Sequence, residues 1–228
     1  MSEWSELLEA VQVHTALFIA DASNLDLDAP SALPGWNRKH VLAHVLGNAR
    51  GFGRLARWAC DGVERPVYVS VEARDADIVQ RATWSSDELL DAVAHSAAEL
   101  DREFAVMDST ARDRIVRRYN VSEFPGGWIP VLRLQEIVIH HTDLGGTDFT
   151  HLQWPDELVE RLWPDIAKEY AQRADAPVGF VNDDRFNDSE AGVRGSHAAA
   201  LAWLLGRSTG ADLELVGMDA LPTPPNWR

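Results

Sequence analysis

Val131-Leu-Arg-Leu-Gln-Glu136-Ile-Val-Ile-His140-His-Thr-Asp143 carries apolar residues on nearly every face of a helix that Pro130 opens and Gly145-Gly146 stops. Such a helix belongs in a protein interior, and Glu136 is expected to be buried with it. A buried carboxylate is costly unless a metal or a cation compensates it. Glu136 and His140 are four positions apart, so they share one helical face.

The preceding segments supply neighbours for this helix. Trp4, Leu7, Leu8, Val11, Thr15 and Phe18 form one stripe at helical spacing, ending in the polar stretch from Asp21 to Asp28. After Pro34-Gly35, Asn37 is a suitable N-cap, and Val41, His44, Val45, Asn48, Phe52 and Leu55 make the next inward face. Asp61-Gly62 ends that helix, and Pro66 to Ser70 reads as an extended loop. Ser85-x-x-Glu88 is a capping box that opens a third helix with Leu89, Val93, Ala97, Leu100 and Phe104 inward. Residues 112–128, with Arg114-Ile115-Val116 and the breaker Phe124-Pro-Gly-Gly127, predict a loop or short hairpin. Four helices joined this way form a bundle, in which a ligand site is built from side chains on facing helices.

Beyond Gly146 the pattern changes. Pro155 opens a helix with Leu158, Leu162, Ile166 and Tyr170, and Val178 to Val181 reads as a strand. Gly192 to Arg194 is a further short strand, Ser196 caps the segment Ala198 to Gly206, and Leu213 to Val216 is the last strand. The expected fold class is therefore α+β: an N-terminal four-helix bundle over residues 1–150 and a smaller C-terminal α/β domain over 151–228.

Charge narrows the possible partners. A formal net charge of −15 argues against nucleic acid, whose backbone needs clustered Lys and Arg. An anionic substrate would have to be held by a few locally placed Arg against that field. Without a basic and apolar leader at Met1, or a stretch of about eighteen apolar residues, neither a membrane nor secretion is expected, and the location expected is cytoplasmic. A monomer is expected. The single cysteine, Cys60, excludes an internal disulfide framework and a CxxC motif.

The chemistry-bearing candidates are His44, Glu136 and His140. Two imidazoles and a carboxylate suit a borderline divalent metal and leave a fourth position free. Taken alone, His44 reads equally as a core histidine with satisfied nitrogens, and E-x-x-x-H is a common pairing on solvated helices. The Ile137-Val-Ile139 run makes solvation unfavourable here, so the metal and core readings both stand. His40 with His44 is a competing pair, but His40 lies in the first, exposed turn of its helix, and His141 points about a hundred degrees away from His140. His14, His95, His151 and His197 read as surface or capping residues. Cys60 reads as a semi-buried residue near a helix end without an activating partner. Arg74 and Arg207 are candidate anion binders that read equally as surface ion-pair residues, and Trp36 and Trp203 are core residues or pocket walls.

Leu33-Pro-Gly-Trp-Asn-Arg-Lys-His-Val-Leu-Ala-His44, followed by Asn48, resembles the N-terminal signature of mycothiol-dependent maleylpyruvate isomerases, within the DinB-like metal-binding superfamily. Arg57-Trp-Ala-Cys-Asp-Gly62, Pro66-Val-Tyr-Val-Ser70, Glu72-Ala-Arg74, Glu136-x-x-x-His140 with Asp143-Leu-Gly145, Gly206-Arg207 and Pro224-Pro-Asn-Trp227 are similar to family blocks in the same order. The resemblance covers nearly the whole chain. It implies a DinB-like bundle in which His44, Glu136 and His140 bind zinc, a C-terminal domain that contributes to the active site, mycothiol as thiol cofactor, and a catalytic Arg207. Arg74 lies in a matching block and is expected to hold a carboxylate of the substrate, a small anionic dioxo acid. The implied reaction, part of gentisate-type aromatic catabolism, is cis–trans isomerisation of maleylpyruvate to fumarylpyruvate by reversible addition of a zinc-activated thiolate. A mycothiol S-transferase, a zinc hydrolase and a non-enzymatic zinc module are the alternatives.

Overall fold

The computed structural model describes residues 3–118, 122–171, 179–181 and 192–224. The chain divides into two compact units, Met1–Thr147 and Asp148–Arg228.

In the first unit, α1 (Glu3–Ser23), α2 (Arg38–Asp61), α4 (Ser86–Ala105) and α6 (Ile129–Leu144) are the long helices. Contacts run from α1 to α4, α4 to α2, α2 to α6 and α6 back to α1, which closes a four-helix bundle. Both expected caps at helix starts are present. Asn37 accepts from the His40 N–H while the His40 ring faces the Asn37 N–H, and Ser85 with Glu88 forms the second capping box. Gly62, at φ 79°, ends α2 in the left-handed conformation that glycine adopts without strain.

The inward stripes pack in two layers. Phe18, Leu42, Val45, Leu89, Val93 and Ile137 fill one. Phe52, Leu55, Leu100, Phe104 and Ile129 fill the other. Burial of such side chains, each contributing roughly 1.5–3 kcal/mol, is the main force holding the bundle together.

One helix is not announced by its periodicity. α3 (Val71–Arg81) follows the 66–70 loop and packs on α2, with Ser70 capping it through the Ala73 N–H. Ile78 is its one fully buried residue, and Val71 and Val79 are 46% and 61% exposed, so no apolar stripe marks it. The 66–70 loop itself lies tight on α2: a Cβ at Gly51 would come within 2.7 Å of Val67 Cγ1.

The 112–128 segment folds as a short helix α5 (Ser109–Asp113) and an antiparallel hairpin of β1 (Ile115–Arg118) and β2 (Ser122–Pro125). Val116 pairs with Phe124 and Arg118 with Ser122. A 3-10 turn at Gly126–Trp128 then feeds α6, with Pro130 in the first helical turn, where its missing N–H costs nothing.

The second unit holds α7 (Asp156–Ala171), β3 (Gly179–Phe180), β4 (Gly192–Arg194), α8 (His197–Leu204) and β5 (Glu214–Val216). β4 is central, parallel to β3 and antiparallel to β5. Trp163, Tyr170, Phe180 and Trp203 form its aromatic core, with the Trp163 and Phe180 rings edge to face at 4.5 Å. Trp203, 1% exposed, is thus a core residue rather than a pocket wall. This is the expected α+β fold class, a helical bundle with a smaller α/β part. Val178, expected in β3, and Pro225 to Trp227 of the closing block lie outside the described residues.

Candidate metal centre

Three side chains from two facing helices converge. His44, in the second turn of α2, places Nε2 3.0 Å from Glu136 Oε2, and His140 Nε2 lies 3.4 Å from the same oxygen. One ligand atom from each of the three residues fits within a span of 4.8 Å. The His44 and His140 rings meet at 69° with centroids 4.5 Å apart. Their side chains are 12%, 12% and 14% exposed for His44, Glu136 and His140, so the cluster is nearly closed to bulk water. Glu136, expected to be buried, is largely but not fully so.

The surroundings fix how each group presents itself. Asp143, one turn beyond His140 and 1% exposed, lies 2.8 Å from His140 Nδ1. An ionised carboxylate can only accept, so Nδ1 carries the proton and Nε2 is turned toward Glu136 and His44. Burial lowers the proton affinity of His140, but the hydrogen bonds to Asp143 and Glu136 outweigh it and lift the pKa to about 9. His44 goes the other way. Burial and the neighbouring His140 hold it below the usual histidine range against the pull of Glu136, and the Arg74 charge adds to that lowering. Burial opposes ionisation of Glu136, yet hydrogen bonds from His140 and His44 keep its carboxyl well below the ordinary range.

Two arginines that sequence patterns did not single out belong to this neighbourhood. Arg118 on β1 donates from Nη2 to Glu136 Oε1 at 3.3 Å. Arg133, 1% exposed on α6, donates from Nη1 to Asn48 Oδ1 at 2.8 Å and to the Val45 carbonyl at 3.0 Å. Neither contact has a sequence signature, because each depends on how the hairpin or α2 is brought against α6. Asp143 was legible in principle, as an acid three residues after a candidate ligand on the same helix.

The remaining candidates fall as follows. Arg74 lies on α3 within electrostatic reach of His44, and its Nε and Nη2 donate to Asp75 Oδ1. Arg207 belongs to the second unit, just after Gly206, and its Nη1 donates to the Leu205 carbonyl at 2.6 Å. His40 is engaged at the α2 N-cap and is outside the cluster. His141 points away to Asp21 at 2.8 Å. His151 is not on the surface: it is buried at 8% exposure with Nε2 3.0 Å from Asp212. Cys60 is exposed rather than semi-buried, and desolvation by its neighbours, with Glu103, Asp108 and Asp61 nearby, pushes its thiol up, the reverse of activation. Trp36 lies with its ring centroid 6.0 Å from that of His44 and also lines a groove of about 460 Å³ with Leu33, Pro34 and Asn37.

Two imidazole nitrogens and one carboxylate oxygen, with an acid behind one histidine, are a donor set suited to a borderline divalent ion such as zinc. Three protein donors leave room for a further ligand.

Known structures and families bear on this geometry. Two solved structures, of the mycothiol-dependent maleylpyruvate isomerase and of a histidine-to-alanine variant of it, superpose with TM-scores of 0.89 and 0.88 at 27% and 26% identity. In each case 99% of this chain and 98% of the other are covered. No curated protein sequence matches. No described helix is long and apolar enough to cross a membrane. The family described as mycothiol maleylpyruvate isomerase N-terminal domain matches residues 8–145, the span that contains the whole three-residue cluster, and the chain belongs to that family.

Proposed function

We propose that this protein is a mycothiol-dependent isomerase that converts maleylpyruvate to fumarylpyruvate, with zinc held by His44, Glu136 and His140. The observation that carries the reading is the convergence of those three donors in a nearly dry site of a chain from this family. When bound, zinc would supply a thiolate at neutral pH by lowering the pKa of a thiol; reversible addition of that thiolate to the cis double bond, with the displaced electron pair held as a dioxo enolate, would let the carbon–carbon bond rotate before sulfur leaves.

The chain's own residues have distinct tasks. His44 and His140 offer Nε2 lone pairs, and Asp143 holds the His140 ring in the tautomer that does so. Glu136 supplies the one negative charge of the donor set. Arg207 would take a substrate carboxylate, or the negative charge that develops on the dioxo acid, in bidentate hydrogen bonds. Arg74 would assist from the α3 side by holding a carboxylate. Such local cations are needed because the net charge of −15 repels an anion at long range.

The test is to follow maleylpyruvate loss with purified protein, with and without mycothiol, before and after chelation, and after zinc is returned. The reading requires activity only when thiol and metal are both present. Turnover without any thiol would instead indicate a metal hydrolase, and turnover of chlorinated or epoxide electrophiles but not maleylpyruvate would indicate an S-transferase.

A further inference from the structure

Glu136 divides its carboxylate between different partners. Oε2 faces both imidazoles, at 3.0 Å from His44 and 3.4 Å from His140, while Oε1 accepts from Arg118 Nη2 at 3.3 Å. A carboxylate can ligate through one oxygen or through both, and what holds the second oxygen decides which. We propose that Arg118 is a positioning residue of the metal centre: by holding Oε1 it makes Glu136 a one-oxygen ligand and so keeps a coordination position open for the incoming thiol. This inference rests on the reading that the triad binds a metal.

The surroundings favour that role. Glu136 is 12% exposed, so water is poorly placed to hold Oε1 in place of the guanidinium. The cation comes from β1, an element outside the two ligand-bearing helices, and it can hold the carboxylate without disturbing the bundle packing. Arginine has donors only and cannot itself ligate a cation, so its approach to Glu136 is that of an outer partner. Its side chain is 32% exposed, unlike Arg133, which lies in the core and donates to Asn48 and Val45. Arg118 is thus the more exposed of the two arginines, and its replacement is the milder change to the fold. If Oε1 were released, it could swing onto the metal beside Oε2 and fill the position the thiol needs.

Cobalt(II) is a suitable probe, since its visible bands report coordination number and a sulfur ligand adds a charge-transfer band in the near ultraviolet. Wild-type protein and R118Q, both checked for folding by circular dichroism, are loaded with cobalt and titrated with mycothiol. R118Q should still bind cobalt, since it removes a cation from beside the ion and leaves the three donors in place. It should also show weaker ligand-field bands, as a second oxygen joins the shell, and need several-fold more thiol for the sulfur band. R118K keeps a donor and a charge and should return the bands and the thiol titration toward wild type, while R118M, which lacks both, serves in place of R118Q if that variant does not fold. Wild-type bands and thiol titration in R118Q would overturn the role of Arg118. A wild-type protein that takes up no cobalt would overturn the metal reading itself.

Discussion

In the proposed metal site, His140 is the residue whose proton a metal ion would have to displace. With its pKa lifted to about 9, it is protonated at neutral pH, whereas burial and the adjacent His140 keep His44 below the ordinary histidine value. Metal binding at pH 7 therefore releases one proton from His140. The sign follows: apparent metal affinity falls as pH falls below about 9, by about tenfold per unit for one displaced proton. Chelator competition between about pH 6 and 9 measures this, and a flat profile would show that His140 is not a ligand. D143N removes the anion behind His140, so the profile should flatten while affinity at the alkaline end drops about 10–100-fold. The part proposed for Arg207 is different. R207A should keep the metal but lose turnover, on the order of a hundredfold if it stabilises developing negative charge. R207K should not restore it, because an ammonium cannot form the two-pronged hydrogen bond. Metal analysis beside kcat separates that role from damage to the metal centre, and an unchanged kcat in R207A would exclude it.

Between α2 and α6 runs a polar bridge beside the three-residue cluster. Asn48 follows His44 by one turn and Arg133 precedes Glu136 by nearly one, and they meet at 2.8 Å. Burial lowers the Arg133 pKa to about 10, and its Nη2 has no hydrogen-bond partner among the described residues. Such a guanidinium is a liability to the fold that an apolar pair would not carry. N48L should cost about 1–3 kcal/mol because it strips a buried charge of a partner. The double variant R133M/N48L should recover most of that, and denaturant unfolding of both singles and the double closes the cycle. A double variant as unstable as the sum of the singles would contradict this account. The same pair shows what a sequence can disclose: Asn48 is visible on the inward stripe of α2, but its meeting with Arg133 depends on how two helices cross. The long helices were legible because each buries several apolar residues at helical spacing, and α2 and α4 also open on a capping box. α3 was not, since Ile78 alone is buried and the helix is held by its Ser70 cap and by contact with α2. Arg118 was hidden for a similar reason, as its partner lies across a hairpin whose strands have only four residues each.

Every donor of the candidate metal set comes from the first unit, while Arg207 comes from the second. The sequence pattern changes after Gly146 and the spacing of Glu136 and His140 puts them on one helical face, but the outer partners required coordinates. Across both units the chain carries 36 acidic against 21 basic residues, so an approaching dicarboxylate meets a repulsive field before any arginine can reach it. Salt weakens that field: the Debye length shrinks from about 30 Å at 0.01 M to about 8 Å at 0.15 M ionic strength. Contacts made inside a nearly closed site, such as an arginine fork on a carboxylate, are screened far less. For maleylpyruvate, kcat/KM should therefore rise several-fold over this range of salt, the reverse of the behaviour of an electrostatically steered enzyme. Mycothiol carries no comparable net charge in its thiol form, and its KM should move much less. Steady-state rates at fixed pH, with either sodium chloride or potassium chloride to exclude an ion-specific effect, provide the measurement. A fall in kcat/KM for maleylpyruvate with added salt would mean that a local cluster of arginines already governs the field at the distance where encounter is decided, and that the acidic surface faces away from the approach.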